Sequence, residues 1–282
     1  MREITHISIL GCGWLGTFLA KAWLKNGAIV NGSVRDKAVF PLLAAQGIRP
    51  FWVNVEETGI SVSSEAFWNC DVLVVSIPPA RNEAVTEVYP RLAKQVVAEV
   101  KRRNIPRIVF ISSTSVYPEK GGDVTEETAD RPEKASGIAL WRAEQLFFRE
   151  ESFRTIVVRP GGLIGPGRLP GNFIRKANPL RPGNVPVNLV HCHDVVGAIL
   201  HLADLEKGSA VYNVVSPEHP LRSELYRRAA ELQGIGLPDF PVGENVKFKT
   251  VNSQKLIDTG FRFAYRNPLA ALEDLYEQKE KD

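Results

Sequence analysis

Six residues near the N-terminus, Gly11-Cys12-Gly13-Trp14-Leu15-Gly16, constrain this chain more than any other stretch. They stand between residues 4–10, a run of strand composition, and residues 14–26, which carry apolar positions at helical spacing and end against Gly27. Each glycine has its own reason to be there. Gly11 permits a tight turn out of the strand, Gly13 lets another group approach the backbone, and Gly16 lets the helix pack close to the strand. The helix N-terminus that follows presents N–H groups and the positive end of its dipole, which suits a phosphate. With 22 glycines in the chain the bare pattern is weak evidence. Its place between strand and helix makes Gly11, Cys12, Gly13, Trp14, Leu15 and Gly16 a dinucleotide-binding loop.

The next stretches repeat the strand-then-helix alternation. Strands are expected over 28–34, 48–53, 71–76, 107–112 and 155–159, with helices over 37–46, 82–104 and 132–151 between them. The run over 71–76 is almost wholly apolar, as a strand covered on both faces requires. This is the signature of an α/β fold, a Rossmann-type doubly wound parallel sheet. Composition then changes: 160–186 is dense in Gly, Pro and Arg and reads as a long surface loop with at most one short helix. Beyond it, Asp194 can cap a helix running to Ala203, 210–214 is a strand and 221–233 a helix. The expected division is an NAD(P)-binding Rossmann domain over 1–165 and a small α/β substrate lobe over 166–282 packed against it, with some elements interleaving.

The end of the second strand bears on coenzyme choice. A site for NAD expects Asp or Glu about 20 residues after the loop, bonded to the ribose 2′-hydroxyl. Here Ser33 holds that place, and Arg35 follows, able to pair bidentately with a 2′-phosphate. Asp36 is the competing acid, but it is placed to cap the next helix. NADP(H) is therefore expected over NAD.

Composition narrows the rest. A net charge of +3 is spread without any block of like charges, and there is no apolar run of about 18 residues. Neither nucleic acid nor a membrane is an expected partner; a small-molecule substrate is, and a homodimer is one assembly open to such a chain. The N-terminus runs directly into a strand, and Cys12, Cys70 and Cys192 show no metal-ligand spacing, which fits free thiols in a cytoplasmic protein. His191 and His193 alternate on an extended segment beside Cys192, but no third ligand accompanies them and no metal is expected.

Four further stretches carry a family resemblance. They are Ile108-Val109-Phe110-Ile111-Ser112-Ser113-Thr114-Ser115-Val116-Tyr117, then Arg159-Pro160-Gly161-Gly162-Leu163-Ile164-Gly165-Pro166-Gly167. The others are Val190-His191-Cys192-His193-Asp194-Val195-Val196, and Asn252-Ser253-Gln254-Lys255-Leu256 followed by Thr259-Gly260-Phe261. Together they resemble the extended short-chain dehydrogenase/reductases, the NAD-dependent epimerase/dehydratase family. The nearest likeness is an uncharacterised bacterial subgroup opening on a Gly-x-Gly-Trp-Leu-Gly loop. The resemblance implies that Ser113 occupies the catalytic Ser/Thr position and that the loop at Pro160 and Gly161 borders the nicotinamide. Ser76, Ile77, Pro78 and Ser112 complete the expected cofactor set.

The resemblance also exposes a departure. The family places a Tyr, with a Lys one helical turn on that lowers its pKa, so that the phenol exchanges a proton at neutral pH. Here those positions are Ser136 and Leu140. The glycine loop departs as well, its first family glycine falling on Leu10. Tyr117 is a candidate substitute acid, and Lys134 or Arg142 a candidate replacement for the lysine, against the plainer reading of solvated helix charges. In the long loop, Arg168, Asn172 and Arg175, with Phe173, Lys176 and Arg181, can grip an anionic or nucleotide-linked substrate. Two readings stand: an oxidoreductase or epimerase using NADP(H) with a rewired proton relay, and a catalytically silent NADP(H)-binding redox sensor or regulatory protein.

Overall fold

The computed structural model describes residues 4–128, 132–174, 180–205, 207–244 and 246–279. In chain order the elements are β1 (His6–Leu10), α1 (Trp14–Lys25), β2 (Ile29–Val34), α2 (Phe40–Ala44), β3 (Arg49–Glu56), β4 (Gly59–Val62) and β5 (Val72–Val75). Then come α3 (Val85–Arg103), β6 (Arg107–Ile111), β7 (Asp123–Val124), α4 (Ala135–Phe148), β8 (Arg154–Pro160), β9 (Gly162–Ile164) and α5 (Gly171–Ile174). The last are β10 (Leu189–His191), α6 (Cys192–Asp204), β11 (Ala210–Val214), α7 (Arg222–Leu232), β12 (Thr250–Val251), α8 (Gln254–Ile257) and α9 (Pro268–Lys279).

These form two compact units that the chain enters more than once. The first comprises residues 1–117, 129–159 and 196–212, the second 118–128, 160–195 and 213–282. Beside the division expected at 165 with some elements interleaving, the chain passes between the units repeatedly, returning to the first to add part of α6 and of β11.

The first unit is built on an eight-stranded sheet of order β11-β8-β6-β5-β1-β2-β3-β4. β1 pairs in parallel with β2 on one side and β5 on the other, so the strand order reverses there. Ligands of open α/β sheets bind at such a reversal, outside the C-terminal strand ends. Burial follows composition: Val72, Leu73, Val74 and Val75 of β5 are all buried, as are Ile7, Ile9 and Leu10 of β1.

Two local expectations are corrected. The helix over 37–46 is shorter, because the Asp36 carboxylate accepts from the Ala38 N–H at 2.9 Å and caps a single 3-10 turn before α2 begins. The strand ending at Val53 instead runs on to Glu56 and turns back as β4, antiparallel to β3. That hairpin has no Asn-Gly or Asp-Gly signal, which is why the sequence conceals it.

The second unit holds two small parallel ladders, β9 with β10 and β7 with β12. Its core gathers Ile164, Leu169, Leu189, Leu225, Leu272 and Leu275. The stretch over 160–186, expected as a loop with at most one short helix, supplies the one-turn α5 and, beyond that expectation, β9. Asp194 differs from expectation too. It lies within the first turn of α6, and its carboxylate accepts the Ala264 and Tyr265 N–H groups at 2.7 and 3.1 Å, fastening the C-terminal segment. Among the described residues no helix is long and apolar enough to cross a membrane.

Candidate dinucleotide site

The loop from β1 to α1 shows what each glycine does. Gly11 has φ +93, and a Cβ there would lie 2.9 Å from the Ser76 carbonyl oxygen on the neighbouring strand end. A Cβ on Gly16 would meet the Gly11 carbonyl oxygen at 3.0 Å and Ile9 at 3.2 Å, so the helix could not approach the strand so closely. Gly13 is different: nothing lies within 4 Å of where its Cβ would stand. Its missing side chain answers no contact in the protein and leaves room beside the loop, as a pyrophosphate group requires. Gly13 is also the N-cap of the 12-residue α1 and supplies no side-chain cap, so the helix N-terminus faces that same space.

Ser33 tightens this loop from below. It is buried, its Oγ accepts the Gly11 N–H at 2.9 Å, and its carbonyl accepts the Cys12 N–H at 2.7 Å. Its structural duty is therefore to set the loop, beyond merely replacing a carboxylate. Cys12 is buried beside Gly32, and burial pushes its thiol up to about 11, so it packs as an inert small side chain. Cys70 and Cys192 are likewise raised by burial, to about 12 and about 11.

A cleft of about 720 Å³ opens at this point, lined by residues 10–13 after β1, 33–36 after β2, 53–55 of β3 and 76–82 after β5. Tyr89 of α3 closes its floor, buried and donating its hydroxyl to the Ile77 carbonyl at 2.7 Å. Of the residues expected to bind a cofactor, Gly11, Cys12, Gly13, Ser33, Arg35, Ser76, Ile77 and Pro78 line this one cleft. Arg35 and Asp36 are both exposed on the lining, and the Asp36 carboxylate accepts the Ala38 N–H as a cap. The residues fit a dinucleotide: an uncapped helix N-terminus, open room at Gly13 and a cation where the adenosine ribose would end.

The loop after β6 carries Ser112, Ser113 and Tyr117. Ser113 is half-buried, and its Oγ accepts the Ser115 N–H at 3.1 Å, capping a 3-10 turn over Thr114–Val116. Ser112 is buried and donates to the Glu144 carboxylate on α4. Glu144 in turn holds Arg159 of β8 in a two-pronged pair, Nε to Oε1 at 3.0 Å and a second nitrogen to Oε2 at 2.5 Å. Burial alone would lower the Arg159 pKa, but the Glu144 carboxylate more than offsets it and keeps the guanidinium charged. Arg159 also donates to the Tyr117 hydroxyl at 2.8 Å and lies over its ring. Tyr117 is only 2 % exposed. A phenol enclosed this way and bonded to a permanent cation braces the loop as a strut.

α4 carries Ser136 and Leu140, the two positions that the resemblance aligns with the usual pair. Ser136 is half-buried and Leu140 buried among apolar side chains. Gly137 between them brings the helix against the Ser115 carbonyl, where any Cβ would collide. Arg142 bonds the Thr86 carbonyl at 2.8 Å and Glu87 at 2.6 Å, which ties α4 to α3. Lys134 precedes α4 as its exposed N-cap residue.

The remaining candidates lie in the second unit. Pro160 ends β8, and Gly161 donates to the Val214 carbonyl at 3.1 Å, its Cβ position blocked by the Asn188 carbonyl. Arg168 is exposed on the turn that its backbone closes with Gly165. Asn172 is half-buried, with its oxygen 3.4 Å from Gln233 Nε2. Arg175 and Lys176 lie outside the described residues. Burial is the main cause holding His191 down to about 4, and its Nδ1 faces the His193 N–H at 3.3 Å. Among the described residues no set of three or more His, Cys, Asp or Glu side chains is gathered as for a metal.

Sequence reasoning missed the Glu144–Arg159 pair, although a signal existed. Arg159 follows the apolar run Ile156-Val157-Val158 and Glu144 sits within an apolar helix stripe; buried charges of this kind require each other.

The comparisons agree with this geometry. The family described as NAD(P)H-binding matches residues 11–191. This chain belongs to that family. Protein YeeZ of Escherichia coli K12 is 34% identical over 268 residues, spanning 93% of this chain and 97% of that one. Among solved structures, the UDP-N-acetylglucosamine 4-epimerase of Bacillus cereus superposes with a TM-score of 0.80 at 15% identity, covering 99% of this chain and 100% of its own. The Bordetella bronchiseptica enzyme WbmG, in complex with NAD and UDP, gives 0.79 at 14%, covering 98% and 95%. The fold is therefore that of the NAD-dependent epimerases and dehydratases.

Proposed function

We propose that this protein binds NADP(H) in the cleft of its first unit and serves to recognise the cofactor, without running the family's Tyr–Lys proton relay. The observation that carries the coenzyme reading is the mouth of the cleft. Arg35 is exposed there, Ser33 is committed to the glycine loop, and the neighbouring Asp36 carboxylate is engaged by its cap, which leaves Arg35 to meet a 2′-phosphate. The loop residues and the α1 N-terminus hold the pyrophosphate, and Tyr89 and the residues after β5 shape the floor. A bound nicotinamide supplies a hydride donor or acceptor. At the positions where the family keeps its relay, Ser136 and Leu140 offer no proton donor near pH 7, and Tyr117 is enclosed.

A second reading, an oxidoreductase or epimerase drawing its proton through a water held by Ser113, is favoured by one observation. Ser113 remains half-buried beside the loop, not sealed like Ser112. The complex of WbmG with NAD and UDP makes a nucleotide-linked substrate its natural candidate.

Two assays decide. Arg35→Ala should weaken NADPH binding by roughly 1.5–3 kcal/mol, the worth of a charge-assisted contact, and leave NADH binding unchanged. Loss of both equally would refute the coenzyme reading. Without general acid–base help worth roughly 10²–10⁴ in rate, generic aldehydes, ketones and sugar nucleotides should be reduced near background. Robust turnover abolished by Ser113→Ala would replace the binding reading with the enzyme.

A further inference from the structure

We propose that Glu144 is a positioning residue for the nicotinamide half of the bound dinucleotide, acting through a clamp on the loop that carries Ser113. The inference rests on the NADP(H) reading and adds what fixes the far end of the cofactor.

Sheet order sets the direction. The cleft opens at the ends of β1, β2 and β5, with Arg35 at the β2 side. With the phosphorylated ribose assigned there, the other half of the cofactor runs the opposite way, past β5 toward the end of β6. Ser113 stands in the loop that leaves β6.

That loop is held at three points by groups that touch no ligand. Ser112, on one side of Ser113, donates to Glu144; Tyr117, on the other side, accepts from Arg159. Glu144 and Arg159 are joined by two hydrogen bonds and are at most 4 % exposed. The third point is Ser115, whose carbonyl lies against Gly137 of α4. One buried ion pair thus grips the loop on both sides of Ser113, from the helix α4 and the strand β8.

The helix face explains why a carboxylate serves here. Ser136, Leu140 and Glu144 are spaced at i, i+4 and i+8 and share one stripe. The proton-exchanging pair is gone from the first two positions, and the third carries a charge neutralised by an arginine, which cannot give up a proton. The stripe has kept its grip on the loop and lost its acid–base chemistry.

The test compares two ligands in one set of variants. 2′,5′-ADP probes the adenosine half alone, and NADPH probes both halves, with its nicotinamide emission as a spectroscopic reading. The double substitution Glu144→Leu with Arg159→Met removes the pair without stranding a buried charge. Ser112→Ala cuts one arm and leaves the pair intact, and it serves if the double variant does not fold. Affinity for 2′,5′-ADP should stay within about twofold, while NADPH affinity falls at least about tenfold in the double variant, a change of about 1.4 kcal/mol. The emission of bound NADPH should shift toward that of free NADPH, by less in Ser112→Ala. The proposal is overturned if both ligands weaken together, which marks general support of the fold, or if neither weakens in a folded variant. A wild-type chain that binds neither ligand would instead overturn the NADP(H) reading beneath it.

Discussion

Gly11 and Gly13 stand two residues apart in one loop, and the structure assigns them opposite duties that substitution by alanine separates. At Gly11 the backbone has φ +93, which an L-residue adopts at a cost of roughly 1–2 kcal/mol. The new Cβ would also stand 2.9 Å from the Ser76 oxygen, 3.0 Å from its carbon and 3.2 Å from the Ile77 nitrogen. These are backbone atoms at the end of a central strand, so relief means moving the strand. Overpacking of this kind costs roughly 1–3 kcal/mol more, giving about 2–5 kcal/mol in all. At Gly13, φ is −86 and no atom lies within 4 Å, so alanine meets neither penalty. The small gain from a stiffer unfolded chain and the small loss of a poorer N-cap should leave stability within about 1 kcal/mol of wild type. Its Cβ would nonetheless fill the room left for the pyrophosphate. Urea unfolding and NADPH titration of both variants are the assay. Gly11→Ala should lose stability, and Gly13→Ala should keep it while losing NADPH affinity by at least about tenfold, or 1.4 kcal/mol. A folded Gly13→Ala protein that binds NADPH like wild type would refute the assignment of that space.

Two further outcomes follow from buried groups. Glu144→Gln, which strands Arg159, should destabilise the fold by roughly 3–5 kcal/mol in urea unfolding, clearly more than the charge-balanced double substitution; equal losses would show that the pair's charge is immaterial. His191 is held by burial to about 4, below its ordinary value near 6.5, so the unfolded chain takes up the proton first. The stability this contributes is complete above pH 6.5 and is lost as pH falls through about 4. His191→Leu should flatten urea midpoints over that range, and an unchanged slope would locate the acid sensitivity elsewhere.

How far the sequence carried the structure can be argued from particular residues. The glycine loop, β1 and α1 were legible because strand, turn and helix chemistry agree over consecutive residues, and Asp36 was readable as a cap from its place before a helix. The β3–β4 hairpin was not, since its turn at Glu57 and Thr58 carries no left-handed dipeptide. The repeated passage between units was hidden because residues 196–212 look like any helix and strand; only packing shows which unit they join. At the site, Ser136 and Leu140 announced what was missing. The surroundings of Tyr117 were not legible, because a tyrosine in such a loop reads alike in sequence whether or not its hydroxyl meets a buried arginine 42 positions away. The Glu144–Arg159 pair is such a contact, between residues whose buried charges were visible but whose partnership was not.

The most direct measurement for the whole account is calorimetric titration of the wild-type protein with NADPH and NADH side by side, at one salt concentration. NADPH should bind more tightly by at least about tenfold, the lower end of what a charge-assisted contact to a phosphate supplies. Equal affinities, or tighter binding of NADH, would contradict the assignment of the cleft to NADP(H).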